Sequence, residues 1–193
     1  MKNNGDFYAL LFRMKNIERW GLMYNTRPEN LSEHSMECAV LTHALALIGN
    51  RIFKKQYDPK RLLSAALFHD MNEVLTGDLP TPIKYYNDGI KRSYKEIESI
   101  SLEKMLSLLD EETASAYREL AELSEEEQHL IKGADKLCAY IKCLCEIERG
   151  NREFASARMY NEKALHDMKS EEVEYFLDNY LPSFTKNIDE VSL

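Results

Sequence analysis

His69, Asp70 and Glu73 fall within five positions at the end of an apolar run, Leu62-Leu63-Ser64-Ala65-Ala66-Leu67-Phe68. An imidazole and a carboxylate side by side can hold a divalent cation, and a further carboxylate beside that cation can move a proton. Positions three and four apart share a helix face, so Glu73 is expected one turn beyond both His69 and Asp70. A His-Asp dipeptide alone describes a surface pair equally well. Two features weigh against that here: the apolar run leading into the pair, and Glu73 on the same face. Three ionisable groups close to a core are costly unless paired or metal-bound.

Two further residues could join such a centre. Asp135 lies on a predicted apolar helix face, one turn after Ile131 and one turn before Cys138. Its neighbour Lys136 points about 100° away and is a poor partner. A shared metal ion would satisfy Asp135, but so would a place at the edge of the apolar stripe, and spacing does not choose. His34 falls in a first helical turn, where a polar side chain facing solvent is the default. His43, His129 and His166 have no acidic neighbour repeating the pattern and read as structural or surface residues.

The chain that must position these groups has 193 residues, long enough for one well-buried domain and short for two. Hydrophobic residues make up 44% and Gly and Pro number only seven and five, which suits a helical chain. The net charge of −8 argues against a nucleic-acid polymer as partner. An anionic substrate would then need a local positive site, made by a metal ion and one or two Arg or Lys residues. The four cysteines form no C-x-x-C pair, and three fall inside a predicted helix as small hydrophobes. No apolar run approaches a bilayer span, and no secretory h-region follows Met1, so a cytoplasmic protein with no membrane partner is expected.

Helical periodicity extends over the whole chain. Helix one is expected from Asp6 as N-cap to Trp20, with Arg19 and Trp20 in its last turn and Gly21 ending it. Asn30 with Glu33 resembles a capping box that opens a second helix ending at Gly49. Its core face would include Val40, Leu41, Ala44, Leu45 and Ile48. Asp58-Pro59 starts a third helix that carries the His-Asp pair to about Leu75 and breaks at Gly77. Asp78-Leu79-Pro80-Thr81-Pro82 reads as a stiff non-helical loop, a good place for substrate contacts because its groups are held beforehand. Helices follow over 89–109, with Ile90, Tyr94, Ile97, Ser101, Met105 and Leu108 inward, and over 111–123. Ser124 and Glu127 then cap a long helix to Glu148, and helices over 151–168 and 170–180 complete an all-α, single-domain bundle over 1–193.

Together these residues give His…His-Asp…Asp across three helices, and the chain resembles the HD-domain metal-dependent phosphohydrolases. The likeness to the bacterial 5'-deoxynucleotidases among them covers essentially the whole chain. It rests on Ile17-Glu18-Arg19-Trp20, Glu29-Asn30-Leu31-Ser32-Glu33-His34-Ser35, Phe68-His69-Asp70, the run Glu73 to Tyr85, Ala134 to Tyr140 and Leu181-Pro182-Ser183-Phe184. The long Glu73 to Tyr85 motif is specific; the bare His-Asp signature is not.

The resemblance implies one divalent metal ion bound by His34, His69, Asp70 and Asp135, with cobalt preferred and manganese or copper effective. It implies hydrolysis of a deoxyribonucleoside 5'-monophosphate to deoxyribonucleoside and phosphate. Glu73 and Arg19 would be catalytic, Glu73 in proton transfer and Arg19 orienting the phosphate. Arg19, Trp20, His34, Asp78, Leu79, Pro80, Thr81 and Asp135 would contact substrate. Trp20 would lie against the deoxyribose and crowd a 2'-hydroxyl, although bare spacing makes it an ordinary aromatic at a helix end. The resemblance also implies a homodimer. Two other readings stay open: an HD-type hydrolase of triphosphates or cyclic dinucleotides, and a non-catalytic nucleotide sensor. The first needs a larger cationic pocket than the scattered basic residues suggest. The second leaves Glu73 and Arg19 without a purpose.

Overall fold

The structure, a computed structural model, describes residues 4–84 and 86–191, without the side chains of Thr81 and Pro82. The described residues form ten α-helices. In order they are α1 Gly5–Leu11, α2 Leu31–Ile52, α3 Pro59–Leu67, α4 Glu73–Thr76, α5 Thr81–Lys84, α6 Asp88–Leu106, α7 Glu111–Ala121, α8 Glu125–Glu148, α9 Ala155–Asp167 and α10 Glu171–Asn179. A 3-10 turn follows α1, one precedes α9 and two follow α10. The described residues contain no β-strand, only an isolated antiparallel bridge between Glu18 and Asn30. The all-α expectation holds.

Backbone contacts group into two compact units. The first takes residues 4–24, 28–36 and 67–122. Its core is Phe7, Met71, Met105, Leu106, Leu109 and Ala114, with Phe68, Val74 and Tyr117 packed against it. The rings of Phe7 and Phe68 both meet Tyr117, with centroids 4.9 and 5.1 Å apart. The second unit takes residues 25–27, 37–66 and 123–191. Leu45, Leu62, Leu130, Leu137, Phe154 and Leu165 are fully buried there. None of the four cysteines is part of a disulfide.

Several helix ends form where their residues predict. Asn30 Oδ1 accepts from the backbone N–H of Glu33 at 3.0 Å, while Glu33 reaches back to the N–H of Asn30. Ser124 and Glu127 make the same reciprocal pair at the start of α8. Asp58 caps α3 through the N–H groups of Lys60 and Arg61, with Pro59 at the first helical position.

Several expectations need correction. Helix one does not reach Trp20. It tightens into a 3-10 turn over Phe12–Asn16 and leaves helical geometry at Ile17, because Ile17 O and Glu29 O take the N–H groups of Leu31 and Arg19, both at 2.9 Å. Asp6 lies inside the first turn of α1 rather than capping it. Helix two continues through Gly49 to Ile52; a Cβ at Gly49 would come within 2.6 Å of the Tyr57 ring, so glycine here permits close packing rather than a stop. Val40, expected inside, is 57% exposed, and Ile97 on α6 is 48% exposed.

Two further corrections bear on the site. The third helix stops at Leu67 and gives way to tight turns over residues 68–72 before α4. Three-residue bonds close them: Met71 N to Phe68 O, Glu73 N to Asp70 O, and Val74 N to Met71 O. The segment Asp78 to Pro82 also does not stay extended throughout, since α5 begins at Thr81. A proline in the first helical turn loses no hydrogen bond.

Candidate metal centre and active site

The turn over 68–72 positions the His-Asp pair. Phe68 and Met71, three positions apart, anchor it in the core of the first unit. His69 and Asp70 between them are thereby held clear of that core. On a regular helix these adjacent side chains would diverge by about 100°. The tight turn instead brings Nε2 of His69 to 3.0 Å from Oδ2 of Asp70. His34, fully buried in the first turn of α2, presents Nε2 to the same oxygen at 3.5 Å. The two imidazole rings are 5.4 Å apart. One ligand atom from each of His34, His69 and Asp70 lies within 4.8 Å of the others. The polar default for His34 is therefore wrong: it belongs to the cluster.

Asp135 lies in the second unit, half-buried on α8 beside fully buried Ala134.

Arg19 comes to the cluster through the Glu18–Asn30 bridge rather than from a helix end. Its Nε donates to Oε1 of Glu29 at 2.9 Å, and Nη1 is 3.8 Å from Oδ2 of Asp70. Oε1 of Glu29 also stands 3.9 Å from Nδ1 of His34. Trp20 follows with a left-handed backbone, φ 60°. For a bulky residue this conformation is strained by about 1–3 kcal/mol.

Glu73 opens α4 and is 3% exposed. Burial, reinforced by the negative charges of Asp70 and Asp78, pushes its pKa up to about 8, against the pull of Lys84 and Arg19. Burial also raises Asp78, with Arg19 opposing. Asp70 behaves in the opposite way: burial works to raise it, but the charge of His69 and hydrogen bonds from both histidines hold it well below the ordinary range. Asp78, Leu79 and Pro80 are half-buried in the segment after Gly77, whose φ of 74° favours glycine. Leu79 lines an open apolar groove with Leu75, Ile90, Tyr94 and Ile97. The side chain of Thr81 and the whole of Tyr85 lie outside the described residues.

Two residues of the site have no role that their sequence context reveals. Glu29 touches both Arg19 and His34. Lys84 lies 3.7 Å from Oε1 of Glu73 and 2.8 Å from Oε1 of Glu98. Both stand inside motifs that carry the resemblance, but their partners are set by tertiary contacts that spacing does not show.

The donor set fits a divalent cation. Two imidazoles and a carboxylate converge, and burial, with the charges of Asp70 and Asp78, makes the neighbouring Glu73 resist ionisation. Such a site on a helical scaffold defines a metal-dependent phosphohydrolase of the HD-domain type. The fold agrees: an HD-domain phosphohydrolase from Listeria innocua superposes with a TM-score of 0.82, covering 93% of this chain and 88% of that one at 21% identity. A cyanophage S-2L HD phosphohydrolase, DatZ, bound to dA and one catalytic Zn2+ ion, superposes with a TM-score of 0.66 at 22% identity, covering 92% and 95%. The chain belongs to the 5'-deoxynucleotidase YfbR-like family, whose model matches residues 6–184. A 5'-deoxynucleotidase from Erwinia tasmaniensis is 49% identical over 98% of this chain and 97% of its own length. One from Vibrio parahaemolyticus is 48% identical over 96% and 97%. Among the described residues, no helix is long and apolar enough to cross a membrane.

Proposed function

We propose that this chain is a metal-dependent 5'-deoxynucleotidase that hydrolyses deoxyribonucleoside 5'-monophosphates to deoxyribonucleosides and phosphate. The observation carrying this reading is the convergence of His34, His69 and Asp70 beside Arg19 and a buried Glu73. His34, His69 and Asp70 would hold the cation, and the family resemblance assigns Asp135 as its fourth ligand. A bound divalent metal supplies Lewis-acid polarisation of the phosphoryl group and acidifies water near neutral pH.

The protein's own groups do the rest. Arg19, kept in place by Glu29, presents a planar fork that matches two phosphate oxygens. Glu73, with a pKa of about 8, carries its proton at neutral pH and donates it to the departing 5'-oxygen. An alkoxide leaves poorly without that proton. The Asp78-Leu79-Pro80-Thr81 segment meets the sugar and base side. Trp20 packs on the deoxyribose, where a 2'-hydroxyl would be crowded. His34 and Asp135 border the phosphate as well as the metal. A preference for cobalt over manganese or copper, a homodimeric state, a cytoplasmic location and a single domain over 1–193 complete the reading, all supported by the family resemblance.

The test is a phosphate-release panel of ribo- and deoxyribonucleotides, with metals added back to chelated protein. Release from dAMP and other deoxyribonucleoside 5'-monophosphates, little from AMP and none from dATP is expected. Preferential turnover of dATP or of a cyclic dinucleotide, or no turnover with any metal, overturns the reading.

A further inference from the structure

Lys84 faces Glu73 on its Oε1 side. It closes the short helix α5, and α6 holds it from behind. Tyr94 and Glu98, four residues apart, share one face of α6. The Glu98 carboxylate is 2.8 Å from the Lys84 ammonium, and the Tyr94 ring centroid is 4.6 Å from it. A lysine side chain normally retains much rotamer freedom; here an ion pair and an aromatic face restrict it. Burial works to lower the pKa of this ammonium, but Glu98 and Glu73 raise it, so it stays charged. The Lys84 ammonium is 3.7 Å from Oε1 of Glu73. Oε2 of Glu73 is buried and makes no hydrogen bond among the described residues.

We propose that Lys84 is a positioning residue for the reaction: held by Glu98 and Tyr94, its ammonium fixes Oε1 of Glu73 and leaves Oε2 as the oxygen that exchanges a proton with the substrate. The inference rests on the function proposed above. Without the lysine, a buried carboxyl among Asp70 and Asp78 loses the cation that lies 3.7 Å from its Oε1, and the productive rotamer is only one of several. Lys84 therefore acts through Glu73 and makes no contact of its own with phosphate. The pair Glu98–Lys84 extends the catalytic apparatus onto α6, a helix that carries none of the proposed metal ligands.

Steady-state kinetics on dAMP with metal-loaded protein decide the matter. Lys84→Met is expected to lower kcat about tenfold or more with KM nearly unchanged, the mark of an interaction made in the transition state. Lys84→Arg restores most of the loss, and Glu98→Gln reproduces a smaller part of it. In a Glu73→Gln background, Lys84→Met adds no further loss, since residues acting as one unit are not additive. Crystals of Lys84→Met show Glu73 in more than one orientation. A raised KM with kcat intact overturns the proposal, because the lysine then binds substrate directly. Losses that multiply in the double variant also overturn it. If Lys84→Met melts early, Glu98→Gln in the two backgrounds answers the same question: a loss only beside Glu73 supports the proposal, and equal losses sink it. Wild-type protein that releases no phosphate fails the functional reading itself, whereas normal wild-type turnover with an indifferent Lys84→Met fails this inference alone.

Discussion

Glu29 Oε1 accepts the Nε–H of Arg19 at 2.9 Å, and the same oxygen stands 3.9 Å from Nδ1 of His34. One buried carboxylate thus aims the proposed phosphate clamp and faces the far side of a proposed metal ligand. A carboxylate behind a ligating histidine fixes its tautomer and ring orientation. Glu29→Ala removes a charge-assisted hydrogen bond of about 1.5–3 kcal/mol, so kcat/KM on dAMP is expected to fall about tenfold to a hundredfold. Calorimetric metal titration should show weaker binding in the same variant.

Metal removal gives the second prediction. A ligand that binds only the folded state stabilises it by mass action, about 2.7 kcal/mol at a hundredfold excess over Kd. Cobalt added to chelated protein should raise Tm, and the rise should be blunted in His69→Ala and Asp135→Asn. An undiminished rise in Asp135→Asn would remove Asp135 from the ligand set.

The third concerns acid stability. Glu146 is fully buried and accepts from Thr26 N and Oγ1, Arg27 N and Asn151 Nδ2, with Lys142 as ion partner. Burial works to raise its pKa, but Lys142, Thr26 and Asn151 together bring it far below the ordinary 4.5. The unfolded chain therefore takes up this proton first on acidification. The stabilisation is complete above the unfolded pKa and falls away as pH drops below it toward the folded one. Urea midpoints should decline below about pH 4.5 in the wild type and much less steeply in Glu146→Gln. At neutral pH, Glu146→Ala should cost about 3 kcal/mol or more, since it strands buried donors and a cation.

The fourth concerns packing. A Cβ at Gly49 would lie 2.6 and 2.9 Å from two carbons of the Tyr57 ring. Helix propensity alone favours alanine over glycine by about 1 kcal/mol. The overlap outweighs it, and Gly49→Ala should lower stability by about 1–3 kcal/mol. Tyr57→Leu in the same chain should recover part of the loss, measured by thermal unfolding.

What the sequence made legible was local. Reciprocal caps at Asn30/Glu33 and Ser124/Glu127 involve groups three residues apart, and both form. Long-range pairing was not legible. The Glu18–Asn30 bridge spans a proline-containing loop, and it draws Arg19 and Trp20 off the helix that periodicity extends through them. The break after Leu67 was hidden for another reason. Phe68, Met71 and Val74 recur every three residues, a pattern that an α-helix and successive tight turns satisfy equally. At the centre itself, residue type and order pointed to His69, Asp70 and Glu73, while burial decided His34. Glu29 and Lys84 stayed silent because their meaning lies in Arg19, His34 and Glu98, which only folding brings to them.

The left-handed turn at Trp20 separates two properties that a single substitution usually mixes. Shrinking the indole to alanine removes the ring yet keeps a side chain whose Cβ resents that conformation. Asparagine tolerates the same backbone and also clears the space. Trp20→Ala, which leaves that strain in place, therefore reports on the ring at the proposed sugar contact, and Trp20→Asn adds the relief of the backbone strain to it.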